Sequence, residues 1–476
     1  MDSRTRIHEI AEEKAGIIAD MNQSVWSYAE YGYKEFKSAA KLTQVLEDEG
    51  FQVERGIAGI ETAFVGTYGS GKPVIGILGE YDALPNLSQK AGVAERCPIE
   101  GQNYGHGCGH SALGAGAVGA ALIVKQFLQE SGLPGTVKIF GCPAEETGFG
   151  KGFMVREHCF DDLDMCFSWH PMDGNACFPR SVAYYKVRFD FTGRTSHAGG
   201  APELGRSALD ACELMNVGVN YLREHIISTA RVHYAYLDCG GEAPNIVQGH
   251  ASLLYFVRAP RLALCDEILS RIKKIAQGAA LMTETDVKIT VLGGLSDNIP
   301  NPTACALLSD AFIAEGGPDF GEEEFAIARK FLDAMSEEDR AKALAAGAKI
   351  NGITEEEFAK RPLNTTVIPY SEKFREMLST GSTDVGDVSY ITPTAQFTAT
   401  VGVPGTGAHT WQFAAQVGTS IGDKASVAIA RAIAYASTMV YENPSLTEQA
   451  KKELLDETHG KYISPIPDGM KPGEGM

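Results

Sequence analysis

A chain of 476 residues is too long for one ordinary core, so two or three folding units are expected. With 44% hydrophobic and 22% charged residues it has ample material to bury, which excludes wholesale disorder. Its 42 basic against 61 acidic residues leave a net charge of −19, a field that repels nucleic acid and anionic membrane and argues against both as partners.

The first segment, MDSRTRIHEIAEEKAGIIADMNQ, is charged throughout and lacks the apolar stretch of a secretory signal. No window reaches the ~18 consecutive apolar residues of a membrane span. Ten cysteines, scattered singly without a CxxC pair, read as reduced thiols and not as a disulfide framework. A cytosolic location is the expectation.

Helical spacing runs to about residue 50, where EFKSAAKLTQVLEDEGF ends on a Gly stop. TAFVGTYGSGKPVIGILGEYDALP then reads as two short apolar strands split by a Gly-rich turn. The small-residue run SALGAGAVGAALIVKQFLQESG predicts a tightly packed helix ending at Gly132, and GTVKIFGCPAEE the next buried strand. Strands alternating with helices imply an α/β catalytic domain with a mainly parallel sheet flanked by helices.

The character changes near residue 183, where SVAYYKVRFDFTG alternates apolar and polar residues, as suits a sheet with one wet face. A helix, two strands, a second helix and a strand follow, the order of a ferredoxin-like α+β module. The expected organisation is therefore residues 1–182 as the first part of the catalytic domain, 183–297 as an inserted domain, and 298–476 as the rest of the catalytic domain. Residues 319–360 are charge-dense with helical period, and their plain reading is a solvated excursion. The Pro- and Gly-rich ISPIPDGMKPGEGM reads as an extended tail.

Five places set metal-ligand residue types beside strand ends, where α/β sheets display their sites. They are GEYDALP with Asp82, GHGCGHS with Cys108 and His110, CPAEETG with Glu145 and Glu146, SWHPM with His170, and GTGAHTWQ with His409. GHGCGHS also holds His106. Singly each is weak, since a lone His is more often an ordinary hydrogen-bonded side chain. Adjacent carboxylates repel, so one of Glu145 and Glu146 should be protonated unless a cation compensates; alternatively both simply open a helix, whose N-terminus favours acids. Cys108 and His110 stand two apart, so in an extended segment both face one side and could meet one metal. A buried thiol and a nucleophilic Cys-His pair are the other readings of Cys108, and the surplus of carboxylate and His ligands favours metal.

Taken together, the order Asp82, Cys-Gly-His, Glu-Glu, His170 and late His409 resembles the aminoacylase/carboxypeptidase family of metallopeptidases. The likeness is to its amidohydrolase branch with a Cys-Gly-His motif and runs over nearly the whole chain, through GKPVIGILGEYDALP, GHGCGH, FMVREHCFDD, LGRSALDA, REHIISTARVHYA, GAALMTET, STDVGDVS and HTWQ. The resemblance implies that Cys108, His110, Glu146, His170 and His409 hold two divalent ions, zinc or manganese. It makes Glu145 the general base and acid, Asp82 an orienting partner of a ligand, and the inserted domain a lid and dimerisation domain. From that domain His197, reaching in from a partner subunit, would stabilise the oxyanion; otherwise it is a loop His capping the helix near Ser207. Asn245 and Arg258 match positions for the substrate's oxyanion and carboxylate, though an Arg at a strand end can also snorkel to water.

The sequence departs from the family pattern in places. Ser111 stands where many relatives have Asp, and Glu80 where other branches carry His or Arg, which suggests that Asp82 has no further ligand beside it. GSTDVGDVSY also differs from the common Glu-Asp form, which points to an altered pocket floor. The implied function is hydrolysis of the amide of an N-acyl or N-aroyl amino acid such as p-aminobenzoyl-glutamate, with no covalent intermediate. Alternatives are a dipeptidase or carboxypeptidase of the same family, or a non-catalytic partner of a homologous hydrolase. The expected assembly is a homodimer, or a heteromer with a homologous subunit, acting on a small-molecule substrate.

Overall fold

The computed structural model describes residues 2–474. In chain order its strands are β1 (Gln52–Arg55), β2 (Phe64–Ser70), β3 (Val74–Gly79), β4 (Leu84–Pro85), β5 (Tyr104–Gly105), β6 (Gly135–Gly141), β7 (Met165–Met172) and β8 (Ala176–Cys177), then β9 (Ala183–Thr192), β10 (Arg231–Asp238), β11 (His250–Ala259) and β12 (Asp286–Leu295), and finally β13 (Thr394–Thr400). They divide between two compact units. The first comprises 1–180, 299–377 and 388–462; the second 181–298, 378–387 and 463–476.

In the first unit a seven-stranded sheet runs β1-β2-β6-β3-β7-β13-β8. The four central strands, β6, β3, β7 and β13, are parallel, and β1, β2 and β8 are antiparallel additions at the margins. β3 and β13 are buried at every position, which is why they read as continuous apolar runs and not as alternation. Against the sheet lies the helix His110–Ser131, packed between the helices Ser3–Tyr28 and Ser420–Glu442. Its small residues allow that approach: a Cβ at Gly119 would meet Ile18 at 2.6 Å, and one at Gly114 would stand 2.7 Å from the carbonyl oxygen of Glu80. Trp169 of β7 donates its indole N–H to the Leu113 carbonyl at 2.9 Å, locking helix to sheet. Among the described residues this helix alone is long and apolar enough to cross a membrane, and 89% of its most apolar window is buried inside the protein.

The charged stretch forms three helices, Glu322–Asp333, Glu337–Asn351 and Glu355–Lys360. Acids fill each first turn, and Ser336 and Thr354 cap the second and third. It is more than a solvated excursion, because Phe325, Ala328, Phe331, Leu332 and Ala343 bury a common face against Val403, Ala415 and Ile421.

The second unit is a four-stranded antiparallel sheet in the order β10-β11-β9-β12, with the helices Ala208–Leu222 and Leu262–Thr283 packed on it. β9 alternates buried and half-buried positions, and its apolar face joins Tyr255, Met215 and Ile272 in a separate core. Segments 378–387 and 463–474, which sequence pattern assigns to the catalytic domain, group with this unit. Ile466 and Met470 are buried, so the stretch expected to be an extended tail is packed instead.

Candidate active site

The C-terminal ends of the parallel strands converge, as the general rule for open α/β sheets requires. Glu80 and Asp82 follow β3, Glu145 and Glu146 follow β6, His170 lies near the end of β7, and His409 sits in the loop after β13. Cys108 and His110 are delivered by the start of the long helix. Their route differs from the extended segment expected: Gly109 between them is left-handed at φ 83°, and His110 opens the helix. The tight turn brings thiol and imidazole together, and Gly109 is required both by its φ and by space, since a Cβ there would lie 2.6 Å from Pro171.

All five expected ligands meet in one cluster. Donor atoms of Cys108, His110 and His170 lie within 4.8 Å of one another, as do those of Cys108, Glu146 and His409, so the two sets share the thiol. Cys108 Sγ is 3.4 Å from His170 Nε2, and Glu146 Oε2 is 3.3 Å from His409 Nε2. Glu146 Oε1 is 4.0 Å from His110 Nε2. Two donors ~2.1 Å from one ion at a tetrahedral angle stand ~3.4 Å apart, so these spacings are those of shared coordination.

Hydrogen bonds aim the rings. Asp82 Oδ1 accepts from His110 Nδ1 at 2.7 Å, which turns Nε2 into the cluster, and its Oδ2 accepts the Glu146 backbone N–H at 3.0 Å. His170 Nδ1 donates to the Pro171 carbonyl at 2.9 Å, leaving its Nε2 toward Cys108. His409 holds φ 62° and donates its backbone N–H to the Gly107 carbonyl at 2.7 Å. Ala144 and Phe149, flanking the one-turn helix Glu145–Gly148, are also left-handed. Such strained residues gather where a site is held in place by its surroundings. The acids do occupy a helix N-terminus, so both sequence readings of Glu145 and Glu146 hold at once.

His106 is not in the cluster. It is buried, its Nε2 donates to the Val25 carbonyl at 3.0 Å, and burial lowers its pKa to about 4. Two buried residues escape sequence reasoning: Glu80, with Oε2 3.3 Å from His110 Nε2, and Lys151, with Nζ 2.6 Å from Glu80 Oε1. Glu80, His110 and Glu145 form a third donor set within 4.8 Å. No local spacing rule links position 80 to 151.

The donors fit a divalent cation. His110 Nε2 and Glu146 Oε1 are buried without a hydrogen-bond partner. Burial opposes a charged His110 ring, but Cys108 and Asp82 outweigh it and raise its pKa well above the imidazole range, so this point favours positive charge. Burial pushes the Cys108 thiol well up and, with His110, lowers His170 to about 4. That is the reverse of the lowered thiol pKa a cysteine nucleophile needs, whereas a coordinated thiol loses its proton outright.

In the second unit His197 is exposed, and its Nδ1 accepts the backbone N–H groups of Gly199 and Gly200. It does not cap the following helix, whose cap is Ser207 accepting from Asp210. Asn245 adjoins it, its carbonyl accepting the Ala198 N–H at 2.9 Å. Arg258 lies near the far end of β11, stacked 5.0 Å over Tyr184 with Nη1 3.3 Å from Ser382 Oγ. Eight residues of strand from His250, at ~3.3 Å each, put it ~25 Å from the His197 end.

A parallel α/β sheet whose strand ends gather thiol, imidazole and carboxylate donors beside a spare glutamate defines a metal-dependent hydrolase of amide bonds. The chain belongs to Peptidase family M20/M25/M40, which it matches over residues 76–473. It is 40% identical to one of the two kinds of subunit of p-aminobenzoyl-glutamate hydrolase of Escherichia coli (strain K12), over 95% of each chain. It is 27% identical to the Xaa-Arg dipeptidase of Mus musculus, over 95% of this chain and 92% of that one. Its fold is similar to the crystal structure of a dinuclear metal binding peptidase of the M20 family from Bacillus subtilis, with a TM-score of 0.59 and 15% identity over 90% of this chain and 99% of that one.

Proposed function

We propose that the chain hydrolyses the amide bond of an N-acyl or N-aroyl amino acid, p-aminobenzoyl-glutamate first among them, using two divalent ions, zinc or manganese, in the cytoplasm. Cys108, His110, Glu146, His170 and His409 hold the ions, and Asp82 orients His110. The observation that carries the reading is the pair of three-donor sets meeting at Cys108 with Glu145 beside them. Bound ions supply Lewis acidity, acidifying water toward pKa ~7 and polarising the scissile carbonyl. Glu145 takes a proton from the attacking water and returns it to the leaving amine, a role worth ~10²–10⁴ in rate.

Arg258 pairs the substrate carboxylate, and His197 with Asn245 donates to the oxyanion. The ~25 Å between Arg258 and the His197 end exceeds one amino-acid conjugate, so a single lid cannot offer both groups to one substrate. This supports His197 acting from a partner subunit, in a homodimer or in a heteromer, the latter raised by the Escherichia coli relative's being named as one subunit of its hydrolase.

The test is a screen of aroyl-glutamates, aroyl-aspartates and dipeptides with Zn²⁺ or Mn²⁺, run on the chain alone beside Glu145→Gln. Turnover of aroyl-glutamate that Glu145→Gln abolishes with metal retained is the expected result. Preference for dipeptides ending in a basic residue would move the substrate assignment toward the dipeptidase relative. A chain that binds no metal and turns over nothing, yet associates with a homologous subunit, would be a non-catalytic partner.

A further inference from the structure

We propose that Glu80 is a further ligand of the metal centre, supplying one carboxylate oxygen on the His110 side, with buried Lys151 fixing its other oxygen. The inference rests on the metal-dependent reading above and adds a residue to it.

Glu80 and Lys151 are both fully buried. A carboxylate in such a place is tolerated only with a compensating cation, and Lys151 provides one, at 2.6 Å from Oε1. That contact uses one oxygen. The other, Oε2, is turned toward His110 Nε2 at 3.3 Å.

Because Asp82 binds the Nδ1 side of the ring, Nε2 presents its lone pair, and no hydrogen bond meets it. Glu80 Oε2 at 3.3 Å and Glu146 Oε1 at 4.0 Å face the same point. Electron-rich atoms converging without a proton between them repel, unless a cation stands among them. The Nε2 to Oε2 separation matches the ~3.4 Å between neighbouring ligands of a tetrahedral ion. Were Glu80 merely a partner for Lys151, its second oxygen would gain nothing by facing an imidazole lone pair.

The backbone fixes this arrangement. The Glu80 carbonyl abuts Gly114 of the helix that His110 opens, so β3 and that helix move as one body. Lys151 comes from the helix Gly150–Arg156, directly after the Glu145–Gly148 turn. Lys151 is thus a positioning residue, coupling the carboxylate of β3 to the segment that carries Glu145 and Glu146.

The experiment measures bound zinc and manganese by elemental analysis, and their affinities by chelator competition, in wild type, Glu80→Gln, Glu80→Asp and Lys151→Met. Thermal midpoints of the chelator-treated proteins report folding separately. Wild type should bind two ions. Glu80→Gln should lose one of them or bind it at least ~10-fold more weakly. Glu80→Asp keeps the charge and should retain both with intermediate affinity. Lys151→Met should lower the midpoint of the chelator-treated chain but keep both ions.

Two ions at wild-type affinity in Glu80→Gln would overturn the inference. So would equal loss of metal in Lys151→Met, since the pair would then act only as a structural unit. Should the variants fail to fold, a zinc-loaded crystal structure of the unaltered chain decides: Glu80 Oε2 at ~2.0–2.2 Å from an ion supports the assignment, and more than ~3 Å refutes it. A wild-type chain that binds no metal would instead overturn the proposed function itself.

Discussion

Glu35 offers a measurable test of how the site's supporting structure is held. Its carboxyl is fully buried. It accepts from Thr62 Oγ1 at 2.9 Å and from the backbone N–H of Ala144 at 2.8 Å, so it ties the turn before Glu145 to two other segments. Burial, reinforced by the charge of Asp82, raises its pKa from 4.5 to about 8. Between those values the folded chain keeps a proton that the unfolded chain has released. Stability contributed by the protonated group is therefore complete below about 4.5, falls as pH rises, and levels off above about 8. Each unit is worth ~1.4 kcal/mol, and the whole window at most ~5 kcal/mol. Glu35→Gln keeps an acceptor for Ala144 and is neutral throughout, so it removes the slope. With chelator present to fix metal occupancy, the thermal midpoint of variant minus wild type should rise by ~2 °C per pH unit from about pH 5 to 8, then flatten. A difference that stays constant from pH 5 to 9 would refute the argument that Glu35 is buried without a compensating charge.

Other outcomes are expected from the same geometry. Asp82→Ala frees both the His110 ring and the Glu146 backbone, and metal affinity by chelator competition should fall ~10–100-fold. Gly109→Ala forces a left-handed alanine, costing ~1–2 kcal/mol, into contact with Pro171; calorimetry should show a lower midpoint, and elemental analysis less bound metal. His106→Ala should lower stability by ~1–3 kcal/mol through the orphaned Val25 carbonyl while the metal count holds, whereas a metal-ligand role would lower the count. Mixing His197→Ala with Glu145→Gln chains, each inactive alone, should restore up to about a quarter of wild-type turnover if His197 serves the partner's site of a dimer.

Much of this centre is legible in the sequence because its residues sit where apolar strands end. A run such as VIGILG announces a buried strand, and the residues just beyond it must lie at the sheet's rim. The order of the second module, including helices placed by ALDACELMNV and CDEILSRIKK, is equally readable from period alone. Features that depend on chain turns or distant pairing are not. Spacing puts Cys108 and His110 near one another, but through an extended segment, whereas a left-handed glycine and a helix start bring them together. The helices of 322–360 read as solvated because their acids dominate composition, while a narrower apolar face does the packing.

The most consequential residues hidden from the sequence are buried charges. Glu35, Glu80 and Lys151 carry no signal in composition or period, because a charged residue next to a strand or in a helix is ordinarily solvated. Their meaning arises only when the fold removes water from all three. Glu35 then holds the turn before Glu145, and Asp82 links His110 to Glu146. Glu80 joins the His110 side to the helix carrying Lys151. Every segment bearing a proposed ligand or base, apart from those of His170 and His409, is thus fixed by a buried carboxylate from a neighbouring segment. An array of this kind keeps donor atoms 3.3–4.0 Å apart through polar contacts that an apolar core could not make directional.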